Sequence, residues 1–204
     1  MPNRLHKGRD LNGLLLLDKP ANVTSNNALQ EVKKIFNAAK AGHTGSLDPL
    51  ATGMLIICFG RATKMSNYLL TADKYYEVVL MLGVTTDTGD ADGIVLERKD
   101  ASLVSEEDIY QNIKYFTGSI EQIPPMFSAL KHQGKRLHQL ARQGIEVGRK
   151  PRKVHIYKFK LIKRKDNLLY MHVHCSKGTY VRTLAENLGK QLGCGAHVVE
   201  LRRT

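Results

Sequence analysis

The chain is short of nearly everything that would hold a cofactor, a metal or a membrane. It has three cysteines in 204 residues, Cys58, Cys175 and Cys194. They form no CxxC pair, and Cys58 and Cys175 lie in apolar, strand-like runs. They read as free buried thiols in a reducing compartment. No basic side chain is spaced tightly around them, which counts against a reactive thiolate. No apolar run approaches the ~20 residues of a membrane helix. The N-terminal stretch MPNRLHKGRDLNG is basic but lacks the apolar core of a signal peptide. A cytoplasmic protein is expected. Nucleotide-binding loops of the GxxxxGKS/T or GxGxxG kind are missing, as is the GxSxG of a serine hydrolase. The eight histidines show neither HxxxH nor HExxH spacing. Thr88, Asp90, Asp92 and Gly93 echo the start of a calcium loop, but the closing bidentate Glu would fall on Lys99. These aspartates, with Asp87, are expected to make turns, and no metal or cofactor is expected.

Acidic residues are also missing, from one place. Residues 131–165 carry thirteen of the 31 Lys and Arg but only one of the 19 acids, Glu146. The whole net charge of +12 is therefore held in one segment, and the rest of the chain is balanced. Charge kept for solubility is normally mixed in sign. Concentration in one segment points to a polyanionic partner.

A chain this long buries roughly 70% of its unfolded surface as one domain, with or without an insertion. Leu14–Leu17 reads as a buried strand. Thr24 or Ser25 caps a helix to about Asn37, with Leu29, Val32, Ile35 and Phe36 on one face. A loop follows, then a buried strand over Met54–Phe59 and a short helix carrying Met65, Tyr68 and Leu69. Tyr75–Val84 alternates as a strand, 85–93 is a loop, and Ile94–Arg98 is a short strand. Ser105 with Asp108 forms a capping box that opens a helix to Phe116. Gly118–Pro125 reads as a break, Phe127–Lys131 as a strand, and Arg136–Gln143 as a short basic helix. Val154–Lys165 and Leu168–Cys175 are paired strands joined at Asp166-Asn167. Leu169, Met171, Val173 and Cys175 take one face; Tyr170, His172 and His174 take the other. Thr179–Gln191 is a helix with Val181, Leu184, Ala185 and Leu188 inward, and Ala196–Leu201 is the last strand. Without a regular βαβ rhythm, this order gives an α+β fold with a mixed, largely antiparallel sheet.

One loop concentrates unusual chemistry. Gly42-His43-Thr44-Gly45-Ser46-Leu47-Asp48-Pro49-Leu50-Ala51-Thr52-Gly53 sets a single carboxylate into irregular backbone. It fits either an Asx turn with a packing role or a placed catalytic group. Ser46 lies near His43 and Asp48, but three neighbours in one loop do not converge as a triad does. A lone carboxylate acting on a polyanion, as nucleophile or base, remains. It stays ionised most easily beside an arginine. Arg182 is a candidate, in the glycine-initiated turn Lys177-Gly178-Thr179-Tyr180-Val181-Arg182-Thr183. It fits a phosphate-binding or surface role equally well.

Residues 43–53 resemble the catalytic motif of the TruB family of pseudouridine synthases. Further matching pieces are Leu17-Asp18-Lys19-Pro20, Asp73-Lys74-Tyr75-Tyr76, Thr86-Asp87-Thr88 with Asp90-Ala91-Asp92-Gly93, and Gln122-Ile123-Pro124-Pro125 with Phe127-Ser128-Ala129-Leu130-Lys131. Cys175–Thr183 and Cys194-Gly195-Ala196-His197 follow, with Leu201-Arg202-Arg203 at the end. The resemblance covers about residues 11–204.

It implies a pseudouridine synthase fold, and a catalytic domain over 1–204 that isomerises a specific uridine in the TΨC loop of tRNA (position 55). Asp48 would be the nucleophile, Tyr76 would stack on the flipped base, and Arg182 would pair with Asp48. His43, Tyr180, Leu201 and Lys19 would contact substrate. From the residues alone, Tyr180 and Leu201 read rather as core, Tyr76 reads also as a core strand aromatic, and Lys19-Pro20 as a turn. Residues 125–152 would be a basic insertion able to move on RNA binding. Lys131, Lys135, Arg136, Arg142, Arg149, Lys150, Arg152 and Lys153 are expected on the RNA backbone. The expected partner is the T stem-loop of tRNA, with no obligate protein partner and no membrane. Alternatives are the catalytic subunit of a guide-RNA-dependent enzyme and a non-catalytic tRNA-binding or chaperone protein. The chain departs from the pattern at Ser46, where many relatives carry Ala. Bacterial relatives usually continue past Leu201-Arg202-Arg203 into a C-terminal RNA-binding domain, which is therefore expected to be absent here.

Overall fold

A computed structural model describes residues 8–204. The basic stretch read as lacking a signal peptide falls largely in residues 1–7, outside the described residues. The chain divides into two compact units, one running to Asp73 and including Arg202–Thr204, the other Lys74–Leu201.

In the first unit, β1 (Gly13–Lys19) pairs antiparallel with β3 (Thr52–Phe59), from Gly13 opposite Phe59 to Lys19 opposite Gly53. Between them come α1 (Ser25–Ile35) and β2 (Ala41–Thr44), which pairs antiparallel with β3. Arg202 and Arg203 run parallel to Thr52 and Gly53. The Thr24 side chain caps α1 by accepting from the Asn27 N–H. Ala28, Leu29 and Val32 are buried, as a 3.6-residue period demands. Three expectations change. Ile35 is 76% exposed at the last residue of α1, and it is the following Phe36 that packs, against Phe59. Leu14 and Leu16 are exposed, so β1 is not the buried strand that its apolar run suggested. The loop before Asp48 begins as strand β2. After β3, a 3₁₀ turn (Gly60–Met65) leads into α2 (Ser66–Thr71).

The second unit holds β4 (Lys74–Leu82), β5 (Val84–Thr86), β6 (Val95–Arg98), α3 (Glu106–Tyr115), β7 (Gly118–Gln122), two-residue strands β8 (Lys131–His132) and β9 (Lys135–Arg136), α4 (Leu137–Ala141), β10 (Arg152–Lys165), β11 (Leu168–Cys175), α5 (Val181–Gln191) and most of β12 (Ala196–Arg203). Its main sheet runs β12-β4-β11-β10-β7. The pairs β4–β11, β11–β10 and β10–β7 are antiparallel. Leu169, Met171, Val173 and Cys175 are buried with Val181, Leu184, Ala185 and Leu188 of α5, as the alternation and period predict. The Ser105–Asp108 capping box is present.

Gly118–Pro125 is not a break throughout: its first five residues are β7, whose polar groups β10 satisfies. The prolines only end it. Phe127–Lys131 is not a strand; pairing is confined to Lys131 and His132 opposite Arg136 and Lys135. Tyr75–Val84 is interrupted at Gly83, which takes φ +82°. The architecture is α+β with a mostly antiparallel sheet. All three cysteines are free and buried. No helix among the described residues is long and apolar enough to cross a membrane.

Candidate functional site

In the first unit, Asp48 sits half-buried on a loop that the chain fixes from several sides. Ser25, in the first turn of α1, exchanges two bonds with Leu47. Its Oγ donates to the Leu47 carbonyl at 3.0 Å and accepts from the Leu47 N–H at 2.7 Å. The Asp48 carbonyl accepts from Ala51, and the Pro49 carbonyl from Asn22. Lys19 is fully buried. Its Nζ donates to the carbonyls of Pro20 (2.7 Å), Val23 (2.7 Å) and Pro49 (3.2 Å). An ammonium has three donors, and all three are engaged. Burial lowers the Lys19 pKa, and the negative charge of Asp48 opposes that shift. Lys19, expected at the substrate, is thus built into the wall that carries Asp48.

The far side of the loop rests on Arg203, which donates to the carbonyls of Met54 (2.7 Å) and Gly45 (3.2 Å). Gly53 is required here: at φ +97° a Cβ would stand 2.1 Å from the Arg203 carbonyl oxygen. His43, on β2, is held below its ordinary pKa first by burial and then by the Arg203 charge. Its Nδ1 is buried without a hydrogen-bond partner among the described residues.

In the second unit, Arg182 occupies the first turn of α5 and is 5% exposed. Its guanidinium donates to the carbonyls of Thr88 (2.7 Å) and Phe127 (2.8 Å) and lies 3.5 Å from the Asp90 carboxylate. Asp90 is itself fixed, accepting from the Thr88 hydroxyl at 2.6 Å and the Asp92 N–H at 3.2 Å. One turn along α5, burial pushes the Glu186 carboxyl up, opposed by Arg182, reinforced by Asp90 and opposed again by Arg149.

Tyr180 stands at the N-cap position of α5 and is held by Gln122, which accepts from its N–H (3.1 Å) and donates to its carbonyl (3.3 Å). Tyr76 is half-buried on the face of β4 that Val173 shares. Leu201 is buried. Of the basic residues, Lys131, Lys135, Arg136, Arg142, Lys150, Arg152 and Lys153 are exposed. Arg149 is half-buried and pairs with Glu146 at 2.9 Å.

Sequence reasoning assigned Asp90 and Asp87 turn roles, and both have them: Asp87 accepts from the Ile94 N–H. It missed Asp90 as a carboxylate beside Arg182, and Gln122 and Ser25 as clamps. Nothing in their local sequence signals those roles, because each partner is more than twenty residues away.

A family model described as TruB family pseudouridylate synthase (N terminal domain) matches residues 33–181. The chain belongs to the TruB family. A second model, described as the tRNA pseudouridylate synthase B C-terminal domain, matches residues 182–204. TruB relatives named tRNA pseudouridine synthase B are 58% identical in Nitrosococcus oceani, over 98% of this chain and 65% of theirs. Those of Shigella boydii and Escherichia coli K12 are 57% and 56% identical, each over 97% of this chain and 62% of theirs. The chain thus spans a little under two thirds of the length of these relatives. Among solved structures, a Cbf5-Nop10-Gar1 complex aligns with TM-score 0.74 and 33% identity, covering 94% of this chain and 48% of that one. An H/ACA RNP bound to a substrate RNA containing 2′-deoxyuridine aligns with TM-score 0.71 and 29% identity, covering all of this chain and 49% of that one.

Proposed function

We propose that this TruB-family chain isomerises a uridine of the tRNA TΨC loop to pseudouridine, acting in the cytoplasm. The observation that carries the reading is the Asp48 loop, held by a buried lysine with three carbonyl bonds and by the reciprocal Ser25–Leu47 pair. Such clamping suits a nucleophile that must meet one carbon of an extruded nucleoside. Asp48 breaks the bond from base to ribose, and the base rejoins through carbon. Tyr76 stacks on the extruded uracil; unstacking from the RNA loop costs a few kcal/mol, and an aromatic stack returns about 1–3. Arg182 serves the reaction as a fixed cation whose orientation Asp90 sets. His43, Tyr180 and Leu201 contact the base and the loop around it. Lys19 acts through the Asp48 loop rather than on substrate. Residues 125–152 close over the RNA, with Lys131, Lys135, Arg136, Arg142, Lys150, Arg152 and Lys153 on phosphates.

The identity of 56–58% to proteins named tRNA pseudouridine synthase B, against 33% to the Cbf5 complex, supports action on tRNA without a guide. The test is turnover on an unmodified tRNA transcript with no guide RNA and no other protein. Modification mapped to the TΨC loop is expected. Turnover only with a guide RNA and accessory proteins would overturn this reading in favour of the guided one.

A further inference from the structure

The main sheet of the second unit has a second face with recognisable chemistry. Tyr76 shares its side of β4 with Val78 and with Val173 across the pair, which leads into the core. The opposite side carries Tyr75, 53% exposed and directly across from His174. Their rings stack at 3.9 Å with 13° between planes. His174 in turn meets Tyr157 at 4.6 Å, and Tyr157 meets His155 at 4.6 Å. Four rings thus form a continuous track over β4, β11 and β10.

Beside the track, Lys158, Lys160 and Lys163 stand opposite His174, His172 and Tyr170, so all three project from this same face and are exposed. Same-face residues on a strand are about 6.7 Å apart, close to the spacing of phosphates along an extended nucleic-acid strand. A bulge between Leu161 and Lys163 keeps the third lysine on this side, 5.9 Å from the centre of the Tyr170 ring. Glu77, 4.0 Å from His172, is the acid on this stretch.

Aromatic rings on an open sheet beside a row of cations are what a single strand of RNA uses, bases on rings and phosphates on lysines. Cations alone would suit any polyanion, and rings alone an apolar partner. We propose that this face is a second RNA-binding surface, taking a single-stranded segment independently of the face that bears Tyr76. It does not depend on the isomerase reading, because it needs no catalysis.

The test uses the whole chain and a fluorescently labelled oligoadenylate of about twelve nucleotides, within the usual site size of such surfaces. Having no uridine, the probe offers no substrate base. Lys158→Ala/Lys160→Ala/Lys163→Ala should weaken binding at least tenfold and lower the slope of log affinity against log salt by about 2, or about 0.7 for each phosphate left without its lysine. Tyr157→Ala should weaken it about fivefold or more, with uridine isomerisation on tRNA unchanged. Arg136→Ala/Arg142→Ala should leave oligoadenylate binding near wild type.

Unchanged affinity and slope in the triple variant would overturn the proposal. So would an equal loss in the Arg136/Arg142 variant, or displacement of the probe by polyglutamate as readily as by unlabelled RNA, which would mark an acidic protein surface as the occupant. Photocrosslinking of azidoadenosine-substituted oligoadenylate to the wild-type chain reads the same question without a variant. Adducts on Tyr75 or within 155–174 support the proposal, and adducts confined elsewhere refute it. Loss of isomerase activity alone would count against the proposed function and leave this result readable.

Discussion

Replacing Lys19 by Met keeps the length of the side chain and removes the cation. The carbonyls of Pro20, Val23 and Pro49 then lose their bonds to the buried ammonium, and that of Pro49 keeps the bond from the Asn22 N–H. Bonds to a charged donor contribute about 1.5–3 kcal/mol each. Against that stands relief from burying an ammonium, a cost of several kcal/mol. Removal of one member of a buried, bonded charge set typically costs about 3–5 kcal/mol. A loss of about 3 kcal/mol is expected for Lys19→Met. With a urea slope of about 2 kcal/mol/M, the unfolding midpoint should fall by about 1.5 M with the slope unchanged. Because Pro49 follows Asp48 directly, kcat should also fall while KM for tRNA moves little. A group that merely touched substrate would behave the other way, raising KM with the midpoint intact. A midpoint within about 0.2 M of wild type would refute the clamp.

Asp90→Asn should cost about 3 kcal/mol, because Arg182 and Asp90 are both over nine-tenths buried and the cation would lose a charged partner; a urea midpoint equal to wild type would refute this. His43 has a folded pKa below its ordinary 6.5, so the unfolded chain binds a proton that the folded chain refuses. Stability should therefore fall as pH drops through about 6.5 toward that lower value, and His43→Gln should flatten the fall in urea midpoints between about pH 7.5 and about pH 5. Neutralising Lys135, Arg136 and Arg142 should weaken tRNA binding and reduce its salt slope by about 0.7–0.9 for each phosphate that no longer meets a cation. An unchanged slope in filter-binding titrations would remove the basic segment from the interface.

Much of the fold was legible because local signals and tertiary demands agree. The two faces of Leu168–Cys175 follow strand alternation, and α3 is opened by the Ser105–Asp108 box that the sequence displays. The sequence misled where local chemistry and context part. Leu14 and Leu16 look like core but lie on the exposed side of β1. Gly118 and Pro124-Pro125 look like a break, yet β10 supplies partners to the residues between them.

The site was half legible. Asp48 and Arg182 stand out in glycine-punctuated turns. Lys19 could not be read as a buried clamp, because lysine is rarely buried and its carbonyl partners come from residues 20, 23 and 49. Asp90 was hidden by its own turn, whose hydrogen bonds explain it before Arg182 is considered.

The most direct measurement follows one carboxylate. Wild type and Asp48→Asn are each incubated in excess with unmodified tRNA, and the product nucleosides are analysed by mass spectrometry beside a binding titration. Wild type should yield carbon-linked uridine, and Asp48→Asn none, with tRNA affinity within about twofold of wild type. Carbon-linked product from the Asn variant, or none from wild type that binds tRNA, would contradict the role given to Asp48.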